Sequence, residues 1–353
     1  MATTSEVVQP RRKAAPQYWL DAWRYDWLVI AASTWLIIGA SLDAWAHSHF
    51  TDTLESFFTP WHGVFYTGFM AVMLVHVIPL YLNVSRGFPF GKALPRGYRL
   101  SLIGAAVFMV GGFGDMVWHE TFGIEFDIEA ALSPTHLLLV GAAILLTTGP
   151  LRAAWNRAGN APTFREILPA ALSVTYAVIF ASIISLWATL FGTPELIMRS
   201  IPSSSAVDAQ ALVGVLVPNL ILMGALLFMI RRWRLPFGVV TLLFTIYTLV
   251  FFFVRIDATG DYPALIPAGI AAGLLGDGLL QRLRAANAHV SGVRLYAFAQ
   301  SLLYFGLLIA ALLISGDVRW QIHMWAGVPV ICAMLTLMLT YLMWPPAIPA
   351  ETA

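Results

Sequence analysis

Long apolar runs, interrupted by glycine, proline and charge, mark out ten segments of the chain: 27–43, 60–84, 100–119, 134–154, 167–191, 209–230, 237–256, 263–283, 293–315 and 320–344. A transmembrane helix needs about 20 mostly apolar residues, and these runs have that length to within a few residues. None shows the strict apolar–polar alternation of a membrane barrel strand. The pattern predicts an all-α, polytopic membrane helix bundle of about ten spans. Its expected layout is a basic tail (1–24), a four-span region (25–155), a six-span region (156–344) and a short second tail (345–353).

Composition agrees with the pattern. Of 353 residues, 59% are apolar and 11% charged, against roughly 25% charged in a soluble domain. Mean hydropathy is +0.76. These values exclude intrinsic disorder, a coiled coil, collagen and a disulfide scaffold. The net charge of +1 provides no basic field for nucleic acid. A single cysteine, Cys332, excludes an intrachain disulfide and a thiolate metal cluster. No short apolar segment with a small-residue cleavage site precedes 27–43, so the first span reads as an uncleaved signal anchor.

Charge placement predicts an orientation. With the N-terminus in the cytoplasm, only Arg199, Arg255 and Arg319 of the 20 lysines and arginines fall outside. This positive-inside bias predicts a plasma or inner membrane protein with both termini cytoplasmic. Most acids and histidines then collect at the extracytoplasmic ends of the spans. Tryptophans such as Trp27, Trp45, Trp61, Trp118, Trp320 and Trp344 fall near predicted membrane boundaries, as an interfacial belt would place them.

Two stretches share a pattern. The first reads Asp43-x3-His47, Glu55, then Thr59-Pro60-x-His62; the second reads Asp115-x3-His119, Glu129, then Ser133-Pro134-x-His136. Each covers the end of one span, a loop and the start of the next, so spans 1–2 and 3–4 read as an internal repeat, a duplicated helical hairpin. D-x3-H sets a carboxylate and an imidazole one turn apart on a helix face. Thr-Pro and Ser-Pro read as an N-cap followed by proline at the first helical position. His62 and His136 would then lie at the positive end of a helix dipole, which disfavours imidazolium and keeps the ring available to a metal.

Asp, Glu and His without cysteine form a borderline-to-hard donor set suited to Cu(II), Fe(II), Zn or Mn. The predicted metal ligands are Asp43, His47 and His62 with Asp115, His119 and His136, with Glu55 and Glu129 as ligands or their supports. Two mononuclear sites and one dinuclear site are both compatible with the spacing. His323, Asp257 and Asp261, at the same membrane face, are further candidates from the second half. Taken singly, each motif is also what an ordinary helix cap at a membrane surface looks like. His76 reads as a hydrogen-bonded bundle histidine or part of a proton path, and Asp277 as a partner for arginines at the cytoplasmic end.

The D-x3-H motif followed by a second histidine resembles the intramembrane copper motif in the C subunit of particulate methane and ammonia monooxygenases. The resemblance covers two stretches of about twenty residues, and the gaps between the paired histidines are longer here. It implies copper in preference to iron or zinc, oxidation chemistry, and partner membrane subunits or a redox partner. It maps Asp43, His47 and His62 to one copper site and Asp115, His119 and His136 to the other. Three functions are therefore in view: a membrane metalloenzyme oxidising a lipophilic or small substrate, a transporter or metal-handling protein, and an assembly subunit of a membrane complex. The two hairpins share one orientation instead of being inverted, which weighs against alternating access.

Overall fold

The computed structural model describes residues 17–50, 57–123, 127–191, 194–199, 202, 204–285, 290–316 and 318–346. Glu55 and Asp317 lie outside them. The described residues are helical throughout, with no strand longer than an isolated bridge between Met198 and Val318.

The first four predicted spans become α1 (Ala22–His49), α2 (Pro60–Ser85), α3 (Arg99–Phe122), and α5 (Pro134–Thr147) running on into α6 (Gly149–Trp155). A short helix, α4 (Asp127–Leu132), precedes α5. The remainder are α7 (Phe164–Ile183), α8 (Ser205–Arg232), α9 (Val239–Val254), α10 (Ile256–Thr259), α11 (Leu265–Ala285), α12 (Val290–Ile314) and α13 (Ile322–Met343). All ten predicted segments thus carry a helix.

Seven of the described helices are long and apolar enough to cross a membrane: α1, α2, α3, α7, α8, α12 and α13. The α5–α6 pair, bent by 44°, is an eighth span if counted as one. The bend falls at Thr148-Gly149-Pro150, where proline cannot donate to the helical ladder. The 16 residues of α9 reach about 24 Å at 1.5 Å each, short of a hydrocarbon core of about 30 Å. α11 is longer but carries Asp277, Gln281, Arg282 and Arg284. The helix of the fifth predicted segment, α7, stops at Ile183, well before residue 191. Beyond it the chain folds against α8 so closely that a Cβ on Gly214 would lie 1.4 Å from the Ala188 carbonyl oxygen.

Two helical hairpins, α1–α2 and α3–α5, make up the first half. In the first, Gly68 lets the backbones meet: a Cβ there would lie 2.7 Å from the Leu36 Cα. α7 runs through the middle, with 67% of its span buried, and joins the hairpins to α8 and α9. One continuous apolar core covers both halves.

Buried carboxylates show how the bundle is fastened. Asp26, near the N-terminal end of α1, accepts from the Tyr98 hydroxyl and pairs with the Arg157 guanidinium. Among the described residues, Asp277 forms no salt bridge with an arginine. Its carboxylate accepts the backbone N–H of Val240 (3.3 Å) and Thr241 (2.8 Å) and the Thr241 hydroxyl (2.7 Å). It caps the start of α9, whose N-cap Gly238 is left-handed and offers no side chain.

Candidate metal centre

The D-x3-H motifs fold as their spacing requires. Asp43 and His47 share one face of α1, and Asp115 and His119 share one face of α3. Thr59 caps α2 by accepting the N–H of His62 at 3.1 Å, with Pro60 in the first turn. Ser133 precedes α5 in the same position, but its hydroxyl meets the Thr135 hydroxyl at 3.0 Å instead of a backbone N–H.

These elements bring six donor side chains to one end of the two hairpins. In the first, His47 Nε2 lies 3.9 Å and His62 Nε2 3.6 Å from the Asp43 carboxylate. In the second, His119 Nε2 lies 3.5 Å and His136 Nε2 3.1 Å from Asp115 Oδ1. Each aspartate therefore sits between two imidazoles. The hairpins meet where the His62 and His119 rings come within 6.1 Å, centroid to centroid. Donor atoms of Asp43, His47 and His62 all lie within 4.8 Å of one another, and so do those of His62, Asp115 and His119. His62 belongs to both groups. His62, Asp115 and His119 are buried.

Hydrogen bonds behind the rings settle which nitrogen faces inward. The Phe57 carbonyl lies 2.8 Å from His62 Nδ1, and the Gly123 carbonyl 3.3 Å from His119 Nδ1. A carbonyl can only accept, so in both rings Nδ1 carries the proton and donates. In a neutral ring the Nε2 lone pair is then turned toward a carboxylate. Metal-ligating histidines are held in this way. The Phe57 ring also stacks on His62 at 4.8 Å, excluding water from one side.

Distances point the same way. At 3.5, 3.6 and 3.9 Å, three of the four His–Asp contacts are too long for hydrogen bonds. Donors about 2.0–2.1 Å from a tetrahedral ion stand roughly 3.3 Å apart. The observed separations are within a few tenths of an ångström of such an edge. Asp43 Oδ1 is buried and has no hydrogen-bond partner among the described residues. A lone-pair donor facing a carboxylate across such a gap leaves room for a cation between them.

Two supporting residues escaped the sequence pattern. Tyr66 reaches from α2 to donate to Asp115 Oδ2 at 3.3 Å, and Thr135 donates to Asp115 Oδ1 at 3.0 Å. Tyr66 lies one turn beyond His62 on the same helix, so its proximity to the cluster was implicit in the helical period. Other expected residues stand apart. Glu129 is exposed on α4, and His323 is exposed at the start of α13. Asp261 is exposed as well. Asp257 pairs with Arg255 at 3.2 Å and lies 3.8 Å from Nε2 of His49, a residue outside the motif. His76 is fully buried and donates through Nδ1 to the Val72 carbonyl at 2.8 Å, between the Tyr25 and Tyr98 rings.

Two groups of donors have the spacing to hold a metal ion, and the helices carrying them are long and apolar enough to span a membrane. Compared with protein-family models, curated proteins and solved structures, the chain matches none.

Proposed function

We propose that the protein is an integral membrane metalloenzyme whose centre is built from Asp43, His47, His62, Asp115, His119 and His136. The observation that carries this reading is the inward-turned Nε2 of His62, held by its Nδ1–Phe57 bond against an Asp43 oxygen with no hydrogen-bond partner among the described residues. The orientation expected from the charge bias puts the centre at the extracytoplasmic face.

The reaction class is oxidation of a lipophilic or small membrane-permeable substrate, with copper as the metal and electrons from a partner subunit or redox partner. The donor set of imidazoles and carboxylates supports a metal of this kind, and the resemblance to the copper-dependent membrane monooxygenases supports copper over iron or zinc. A transporter would instead need a polar route to the other face; His76, further along α2, is fully buried between two tyrosine rings.

The test is metal content of the protein purified without added metal, together with O2 consumption on lipophilic substrates. Bound copper that falls below the wild-type level in Asp43→Asn and in His119→Ala with the bundle still folded is the expected result. Protein that takes up no transition metal even when supplied with it overturns the reading.

A further inference from the structure

The two halves of the centre differ in how far their carboxylates are already satisfied. Both oxygens of Asp115 accept hydrogen bonds, from Tyr66 and Thr135, and His136 Nε2 approaches Oδ1 to hydrogen-bonding distance, 3.1 Å. Asp43 Oδ1 has no hydrogen-bond partner among the described residues, and His47 and His62 stand back at 3.9 and 3.6 Å. Two positions in the sequence create the difference. Thr135 precedes His136 where Trp61 precedes His62, and Tyr66 stands one turn past His62 where Val140 stands one turn past His136. Tyr66 therefore links the first hairpin to the carboxylate of the second.

An ion arriving at Asp43 gains a ligand that has given up nothing to receive it. An ion arriving at Asp115 competes with the hydrogen bonds of Thr135 and His136 for the same oxygen. A charge-assisted hydrogen bond of this kind corresponds to roughly a ten- to hundredfold factor in binding. The halves are also too close to act separately. His62 belongs to both donor groups, and within each group the ligand atoms lie within 4.8 Å of one another, so ions held about 2 Å from their own ligands fall on the order of 5 Å apart.

Resting on the metal reading above, we propose that the hairpins form one dinuclear centre with unequal halves. A first divalent transition ion binds Asp43, His47 and His62; a second, weaker one binds Asp115, His119 and His136. The pair is close enough to couple magnetically.

The experiment titrates Cu(II) into the full chain in detergent after stripping with a chelator, following stoichiometry and electron paramagnetic resonance. Two ions per chain are expected, the second binding ~10–100-fold more weakly. One equivalent gives an isolated Cu(II) spectrum; two give lost intensity or a half-field signal. Asp43→Asn removes the tight step and keeps the weak one. Thr135→Val, close to isosteric, tightens the second step and leaves the first unchanged. A single ion per chain, two uncoupled ions, or loss of the weak step in Asp43→Asn overturns the dinuclear proposal while leaving a metal protein. No ion bound by the wild-type chain overturns the underlying reading instead.

Discussion

Replacing Asp43 by asparagine should stabilise the protein without metal and destabilise it with metal. One Asp43 oxygen is buried with no hydrogen-bond partner among the described residues, and the Nε2 of His62 faces the carboxylate at 3.6 Å. Leaving a buried polar group unsatisfied costs about 1–3 kcal/mol, more when it is charged. An asparagine amide has nearly the same shape, carries no charge, and can donate to the His62 Nε2 lone pair. The substitution should therefore recover about 1–3 kcal/mol in the presence of chelator. With metal the sign reverses. An ion at a hundredfold excess over its dissociation constant stabilises the native state by about 2.7 kcal/mol, and the variant forfeits that gain at the tight half. The assay is thermal unfolding of both proteins in the same detergent, with chelator and with Co(II). Expected is a midpoint a few degrees higher for Asp43→Asn in chelator and a smaller Co(II)-induced shift. A variant less stable than wild type in chelator would show that the carboxylate is already satisfied. That result would remove the physical basis for a cation between Asp43 and His62.

Other consequences are equally concrete. Gly68→Ala places a methyl 2.7 Å from the Leu36 Cα; it should cost about 1–3 kcal/mol by overpacking and, by parting α1 from α2, weaken metal uptake in the same titration. Asp277→Asn should lower stability by about 1–2 kcal/mol through loss of a charged cap on α9, with metal stoichiometry unchanged. Orientation can be read by thiol labelling: a cysteine at Phe58 should react with an impermeant maleimide from outside intact cells, and one at Ser85 only after permeabilisation. The native thiol, buried at Cys332, should stay silent in both; the reverse labelling pattern would invert the topology.

Helix positions were legible because twenty consecutive apolar residues have few other uses, and all ten segments carry helices. Their limits were less so. α9 is shorter than its apolar run, and α7 ends early because the following loop finds a seat on Gly214, a contact no local pattern encodes. The same distinction holds in the centre. Asp43 with His47, and Asp115 with His119, were legible from the helical period; the entry of His62 followed from Thr59-Pro60. That His62 would serve both hairpins depends on how α2 meets α3, which spacing does not contain. Thr135 was hidden inside the motif as a variable position, and Phe57 contributes only a backbone carbonyl. Asp277 was misread as an ion-pair partner because its real partners are the unpaired N–H groups of a neighbouring helix.

Asp43 differs from the other carboxylates of this molecule in how its charge is met. Asp26, at the opposite end of α1 from Asp43, is buried and answered by a guanidinium and a phenol. Asp277 is buried and answered by backbone N–H groups and a hydroxyl. In both, a fixed donor meets the charge, as burial in a low-dielectric interior demands. Asp43 lies on the same helix as Asp26 and is met instead by imidazoles that stand too far off to donate, one of them with its only proton committed to a carbonyl behind it. The buried Asp43 oxygen instead faces the His62 lone pair. An ion with empty orbitals on both sides satisfies Asp43 and its imidazoles together. It would also fasten α1 to α2 at the end where the Asp26 ion pair does not reach.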